Sequence, residues 1–315
     1  MDNPKYLWWN GELVEWDRAN VHVTAIGWSA VGAVFEGIRA YWNPDTEELH
    51  VFRLQEHMRR LGQSMKMMRQ EPAWSIEHLT DQIIELLKAN EVREDTYIRP
   101  LVYRGEGGGK GFSSHGGSTD ILINTRPNPS HLLSGNHHSA CVSSWTRISD
   151  NVMPPRIKNV ANYRNGQLAG MEASMNGYDI ALIMNQQGKI AEGGGSCVMI
   201  VRDGKLITPD VTQSILESIT RDAIMQLARD EMGLEVVERA VDRTECYIAD
   251  EIFMCGTAFE ITPISSVNKY TVGNGEIGPI THRLEELLND SFRGISGIRP
   301  EWRTAVGVES LVAAD

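Results

Sequence analysis

Cysteine is scarce in this 315-residue sequence: Cys141, Cys197, Cys246 and Cys255 are scattered without a CxxC spacing, and three of them lie in apolar runs. That scatter speaks against a disulfide framework or a zinc site and for reduced, buried thiols. No apolar run approaches the roughly eighteen residues of a membrane helix, and the amino-terminal stretch lacks a basic segment followed by an apolar core. A cytoplasmic protein with no membrane partner is therefore expected. Basic residues are also in deficit, 30 Lys and Arg against 42 Asp and Glu, and the net charge of −12 argues against nucleic acid as a partner. Long blocks of like charge, internal repeats and low-complexity segments are missing too. His137-His138 has no helix-spaced or cysteine partners, so no metal is expected. The run Gly105 to Gly111 imitates a nucleotide loop, but Lys110 is followed by Gly111 where a magnesium-binding Ser or Thr would stand.

What is present is an ordinary globular composition, 41% hydrophobic and 23% charged, in a chain long enough to favour two domains. Leu7-Trp8-Trp9, Asn10-Gly11 and Glu12-Leu13-Val14 read as strand, hairpin turn and strand. Helical spacing of apolar residues recurs over 54–70 and 76–87, and Tyr97 to Tyr103 returns to strand character. Two prolines and polar turn formers over 126–138, between the strand-like Ile121-Leu122-Ile123 and Ala140-Cys141-Val142, mark a linker. Beyond it, a helix from Tyr163 to Asn176 is closed by Gly177, and four short strands follow over 180–184, 189–191, 197–201 and 205–208. A helix over 219–232, opened by Ser218-Ile219-Thr220 and stopped by Gly233, completes a mixed α/β (α+β) pattern. The expected division is a domain over 1–127, a linker over 128–138 and a second domain over 139–315.

Lys158 is the most informative residue. A lysine able to condense with an aldehyde, with a carboxylate able to pair a pyridinium nitrogen, is what pyridoxal 5′-phosphate chemistry requires. About thirty residues after Lys158, Glu192 precedes Gly193-Gly194-Gly195 at a strand end. Ile157, Val160 and Ala161 can dry the surroundings of Lys158, although a lysine beside Arg156 also reads as an ordinary surface residue. Consecutive glycines let a backbone approach a ligand, or simply make a turn. A phosphate needs donors, and Ile219-Thr220 at a helix amino terminus supplies them, as does the small-residue turn Cys255-Gly256-Thr257-Ala258. Arg60 offers a bidentate cation. Thr220 also fits an ordinary helix cap, and Arg60 a solvated helix face.

Taken together, these residues resemble the class IV (fold type IV) pyridoxal-phosphate aminotransferases, and most of all the bacterial branched-chain amino acid aminotransferases. The resemblance spans roughly residues 6 to 295. It is carried by Val34-Phe35-Glu36-Gly37-Ile38-Arg39, by Phe52-Arg53-Leu54 with His57 and Arg60-Leu61, and by Tyr97-Ile98-Arg99-Pro100-Leu101. Lys158 with Tyr163, Glu192-Gly193, Ser218-Ile219-Thr220-Arg221, and Gly256-Thr257-Ala258 with Glu260-Ile261-Thr262-Pro263 continue it. The resemblance implies a small amino-terminal α/β domain, a larger carboxy-terminal pseudo-barrel domain, an active site between them and a homodimer or higher homo-oligomer. It implies that Lys158 is catalytic and bonds the cofactor aldehyde, and that Glu192 holds the pyridine nitrogen. It gives Tyr163 the phenolic oxygen, and Arg60, Ile219, Thr220 and Thr257 the phosphate. Arg99 and the Thr257-Ala258 turn receive the substrate carboxylate, and Phe35, Gly37, Tyr97 and His131 are further substrate contacts; Arg126 is a candidate substrate contact outside the family pattern.

The chain also departs from that pattern. Ala30 stands where an aromatic residue usually precedes the Phe-Glu-Gly motif, His131 aligns with a pocket tyrosine, Cys197 replaces an asparagine, and Arg126 has no counterpart. The expected activity is transamination of L-leucine, L-isoleucine or L-valine with 2-oxoglutarate. An (R)-selective amine or D-amino acid transaminase is the alternative that a widened pocket would favour. A lyase on the same scaffold and a non-catalytic binding protein are weaker readings, the first because Val34 to Gly37 resembles the transferases. The glycine-rich loop from Glu106 to Gly117 reads as a flap near the site.

Overall fold

Asn10 and Gly11 take positive φ of 48° and 103°, as the corner of a two-residue hairpin demands. Strands β1 (Tyr6–Trp9) and β2 (Glu12–Glu15) pair antiparallel across it. The structure, a computed structural model, describes residues 3–23, 30–105 and 118–307; the loop expected as a flap lies outside the described residues. The chain divides into two compact units, Met1–Ser130 with Asp290–Asp315, and His131–Asn289.

In the first unit, β3 (Val34–Phe35), β4 (Ile38–Asn43), β5 (Glu48–Phe52), β6 (Thr96–Arg104) and β7 (Thr119–Pro127) extend the hairpin into one antiparallel sheet. β6 and β7 pair over their whole length, from Thr96 opposite Pro127 to Arg104 opposite Thr119. Alternation sends Ile98, Val102, Ile121 and Ile123 to a fully buried face, and Tyr97, Arg99 and Leu101 to the other. Helices α1 (Leu54–Met67) and α2 (Ile76–Ala89) bury Leu54, Met58 and Leu61, and Leu79, Ile83 and Leu86, the apolar positions at helical spacing. Ser75 caps α2 by accepting from the His78 N–H.

The second unit is built on a ten-stranded sheet. Its elements in chain order are β8 (His138–Thr146), α3 (Tyr163–Met175), β9 (Ile180–Met184), β10 (Lys189–Gly193), β11 (Cys197–Arg202), β12 (Lys205–Thr208), α4 (Ile219–Asp230), β13 (Val236–Glu238), β14 (Val241–Asp242), β15 (Glu251–Gly256), β16 (Glu260–Val267) and β17 (Tyr270–Thr271). The strand order is β13-β12-β11-β15-β16-β8-β9-β10-β14, with β17 on β16. β8 is central and runs parallel to both neighbours, which is why its Ala140 and Val142 are buried. All four cysteine side chains are buried, and burial pushes the Cys246 thiol up to about 12.

Helix α5 (Pro279–Arg293) buries Leu284, Leu287 and Leu288. The last strand, β18 (Arg303–Ala305), pairs antiparallel with β5 and makes the first sheet eight-stranded. Trp302 sets its position edge-on to the Phe52 ring, with centroids 5.7 Å apart. The sequence expectation put everything after residue 138 in the second domain, whereas the chain returns to the first unit from Asp290.

Candidate active site

Lys158 lies on the loop between β8 and α3, and side-chain amides pin that loop. Asn162 donates to the carbonyls of Pro154 and Ile157 at 3.0 Å each, and the Asn159 side chain accepts from the Ala161 N–H at 2.7 Å. Arg156 ties the same loop to Glu217 at 2.7 Å, just before α4. Lys158 itself is half-buried, and its Nζ donates to the Tyr163 hydroxyl at 2.8 Å. The lysine is thus turned inward onto the first residue of α3, away from its solvated neighbour.

Helix α3 is pressed against the glycine turn. A Cβ on Gly166 would stand 2.1 Å from the Gly194 carbonyl oxygen, and one on Gly195 would stand 3.4 Å from the Tyr163 ring. The glycines therefore serve a close backbone approach, not merely a hairpin corner.

Glu192 precedes that turn at a β-bulge, where the pairing of β10 with β9 shifts register between Ile190 and Glu192. The bulge carries its carboxylate inward to 4% exposure. One oxygen lies 2.5 Å from Nη2 of Arg147 and the other accepts the Leu216 N–H at 3.0 Å. A cation and a backbone donor thus fix a buried anion that still has lone pairs to offer. Arg147 was not singled out from the sequence: a lone arginine just past the end of a strand carries no signal there. In the glycine turn, the Ser196 hydroxyl lies against Gly193 and is buried with no hydrogen-bond partner among the described residues.

The Leu216–Glu192 bond also brings in the start of α4. Ser218 is the cap, accepting from the Arg221 N–H at 3.2 Å. Thr220 is therefore not the cap. It and Ile219 form the buried first turn, where the helix supplies no acceptor for its own N–H groups and its dipole favours an anion. Cys197 on β11 faces Cys255 on β15, and a Cβ on Gly256 would lie 3.6 Å from the Gly195 carbonyl oxygen. Thr257 and Ala258, which open the turn from β15 into β16, consequently adjoin the glycine turn. The second unit gathers Lys158, Tyr163, Glu192, Ile219, Thr220, Thr257 and Ala258 in one place. His131 joins that turn from the start of the unit, its Nε2 2.9 Å from the Phe259 carbonyl.

The remaining candidates belong to the first unit, where most form a second group. Tyr97 and Arg126 are cross-strand partners with the guanidinium 4.9 Å from the ring centroid, and Arg99 stands 5.2 Å from the Phe35 ring. Gly37 admits Tyr97, since a Cβ there would stand 2.0 Å from the hydroxyl. Arg60 stands apart from this group. It is buried, not on a solvated face, and its Nε and Nη2 meet the Glu36 carboxylate at 2.7 and 2.8 Å, with His57 Nδ1 at 2.8 Å. Burial opposes ionisation of Glu36, but the Arg60 charge and the hydrogen bonds from Arg60 and His57 prevail and hold its carboxyl well below the usual range. Ala30 is exposed.

The second-unit group fits pyridoxal phosphate. Lys158 supplies an amine for the aldehyde, Glu192 a fixed acceptor for a pyridinium N–H, and the α4 terminus a seat for a phosphate; the buried Ser196 hydroxyl of the adjoining glycine turn is an unmet donor. Residues 33–267 match the family described as amino-transferase class IV. The chain belongs to that family. A branched-chain amino acid aminotransferase from Thermobaculum terrenum, solved in its PLP form, is 50% identical with a TM-score of 0.95, covering 98% of this chain and 100% of that one. The branched-chain-amino-acid aminotransferase of Escherichia coli strain K12 is 40% identical over 92% of this chain and 93% of its own. A probable branched-chain-amino-acid aminotransferase of Aquifex aeolicus is 38% identical over 96% of both. The class IV assignment carries the mixed α/β architecture of fold type IV with it. Among the described residues no helix is long and apolar enough to cross a membrane.

Proposed function

We propose that this protein is a pyridoxal-phosphate-dependent branched-chain-amino-acid aminotransferase, which moves the amino group of L-leucine, L-isoleucine or L-valine to 2-oxoglutarate. The observation that carries the reading is the inward-turned Lys158 on Tyr163, in the same unit as the buried Glu192–Arg147 pair.

Pyridoxal phosphate, when bound, supplies an aldehyde for amine exchange and a ring that accepts the electrons left by the departing α-proton. Lys158 Nζ would hold the cofactor aldehyde and would serve as the base that moves the proton at the substrate α-carbon. The Tyr163 hydroxyl orients that Nζ between the two tasks. Glu192 keeps a proton on the pyridine nitrogen, and Arg147 keeps Glu192 an acceptor by holding its other oxygen. The first turn of α4 and Thr257 seat the phosphate, with Arg60 assigned there on the resemblance alone. Thr257 and Ala258 receive the substrate carboxylate: no hydrogen bond among the described residues engages either backbone N–H. Phe35, Gly37, Tyr97, Arg99 and Arg126 are proposed substrate contacts on the strength of their grouping in the first unit. The protein is proposed to act in the cytoplasm as a homodimer or larger homo-oligomer.

Ala30 favours a second reading, an (R)-amine or D-amino acid transaminase, because a methyl group replaces an aromatic side chain. A two-donor assay decides. L-leucine with 2-oxoglutarate should yield 4-methyl-2-oxopentanoate and glutamate in equal amounts, faster than (R)-1-phenylethylamine or D-leucine reacts. Faster turnover of the amine or the D-enantiomer would replace the branched-chain assignment with the second reading. In that case Ala30→Tyr should shift activity back toward L-leucine.

A further inference from the structure

The turn that follows β15 holds an unusual residue. Gly256 pairs with Glu260 across the three residues Thr257 to Phe259. Glu260 lies in the left-handed region, at φ 44°, a conformation that costs a non-glycine residue free energy and persists only where neighbours impose it. The Glu260 side chain is buried at 1% exposure, so it does not occupy this position for solubility.

His131 is one of the neighbours that hold Glu260. Its backbone N–H donates to Glu260 Oε2 at 2.9 Å, and its Nδ1 lies 3.1 Å from the same oxygen. On the other side of the ring, Nε2 lies 2.9 Å from the Phe259 carbonyl and 3.3 Å from the Thr262 hydroxyl, which itself donates to that carbonyl at 2.7 Å. One histidine therefore grips both the side chain of the strained residue and the backbone just before it. Phe259 packs against the core of the second unit, but Ala258 is exposed and borders a cavity of about 610 Å³, so packing alone leaves the tip of the turn open.

We infer that His131 and Glu260 are a coupled pair of positioning residues that hold the Thr257–Phe259 turn in the shape that receives the substrate carboxylate. The inference rests on the aminotransferase reading of that turn. It gives His131 a task other than widening the pocket in place of a tyrosine. The imidazole works through the turn, and the affinity of the site for carboxylates depends on it.

The test uses the cofactor-loaded protein and 4-methylpentanoate, a carboxylate with no amino group, titrated by the visible spectrum, alongside the dissociation constant of the cofactor. Losing the imidazole contacts to the Glu260 carboxylate and the Phe259 carbonyl should make His131→Ala bind 4-methylpentanoate about tenfold or more weakly, with a much smaller change in cofactor affinity. His131→Gln, which keeps one donor, should recover part of the loss. Glu260→Gly relieves the backbone and so guards against simple unfolding; it should show the same selective weakening. The double variant should lose less than the sum of the two single losses, because the two residues share the His131–Glu260 contact. Equal loss of carboxylate and cofactor affinity, additive effects, or unchanged 4-methylpentanoate binding in His131→Ala would each overturn the inference. A wild-type protein that neither binds 4-methylpentanoate nor transaminates L-leucine would overturn the aminotransferase reading itself.

Discussion

Arg147 Nη2 stands 2.5 Å from the Glu192 carboxylate, and both side chains are buried, at 7% and 4% exposure. Removing one member of such a pair is far more damaging than removing both. Arg147→Met should therefore cost about 3–5 kcal/mol of stability, whereas Arg147→Met with Glu192→Gln should recover much of that loss. Urea denaturation of the three proteins without cofactor measures the difference. Equal destabilisation by the single and double variants would show that the pair is not coupled.

Lys158→Ala removes the amine that the Tyr163 hydroxyl holds in place. Turnover should fall by roughly a thousandfold or more, and the visible band of lysine-bound cofactor should be missing from the purified variant. Tyr163→Phe keeps the lysine but frees it, so its loss should be smaller and should fall on kcat. Steady-state kinetics and a spectrum of each variant check both statements.

Gly166→Ala would place a methyl group against the Gly194 carbonyl, backbone against backbone, where no side chain can swing away. Overpacking of this kind costs about 1–3 kcal/mol, and it displaces the turn that follows Glu192. Weaker retention of the cofactor on dialysis is the expected signature. Gly170→Ala, on the same helix with nothing within 4 Å of the added methyl, is the control and should behave as wild type.

Glu36 makes acid sensitivity testable. Burial works against its charge, but Arg60 and His57 pull its carboxyl below the ordinary glutamate value of 4.5. A depressed folded-state pKa contributes stability that is fully present above the unfolded value and is lost as pH falls below it. Glu36→Gln should therefore flatten the loss of stability below about pH 4.5 relative to wild type, while lowering stability at neutral pH. Denaturation midpoints at a series of pH values give both curves; parallel acid limbs would remove Glu36 from the explanation.

Much of this was legible in the sequence because the relevant signals are local. Leu54, Met58, Leu61 and Met65 mark α1 by spacing, and Gly177 and Gly233, at φ 75° and 64°, mark helix ends. The Lys158 and Glu192 candidates came from residue type beside characteristic neighbours. What was not legible is mostly long-range. The return of β18 to β5, and the central, parallel placement of β8 beside strands far along the chain, depend on partners that local pattern does not name. Arg147 and the left-handed Glu260 gain meaning only from what they touch. Helix α5 is different: Leu284, Leu287 and Leu288 carry helical spacing that was there to be read.

The most direct measurement is the visible absorption spectrum of the cofactor-loaded protein before and after L-leucine, without an acceptor and with product oxo acid quantified. Loss of the band together with about one 4-methyl-2-oxopentanoate per chain is the predicted result, since each site can accept one amino group before it needs 2-oxoglutarate. A band that survives excess L-leucine, or that fades without oxo acid appearing, contradicts the proposed function.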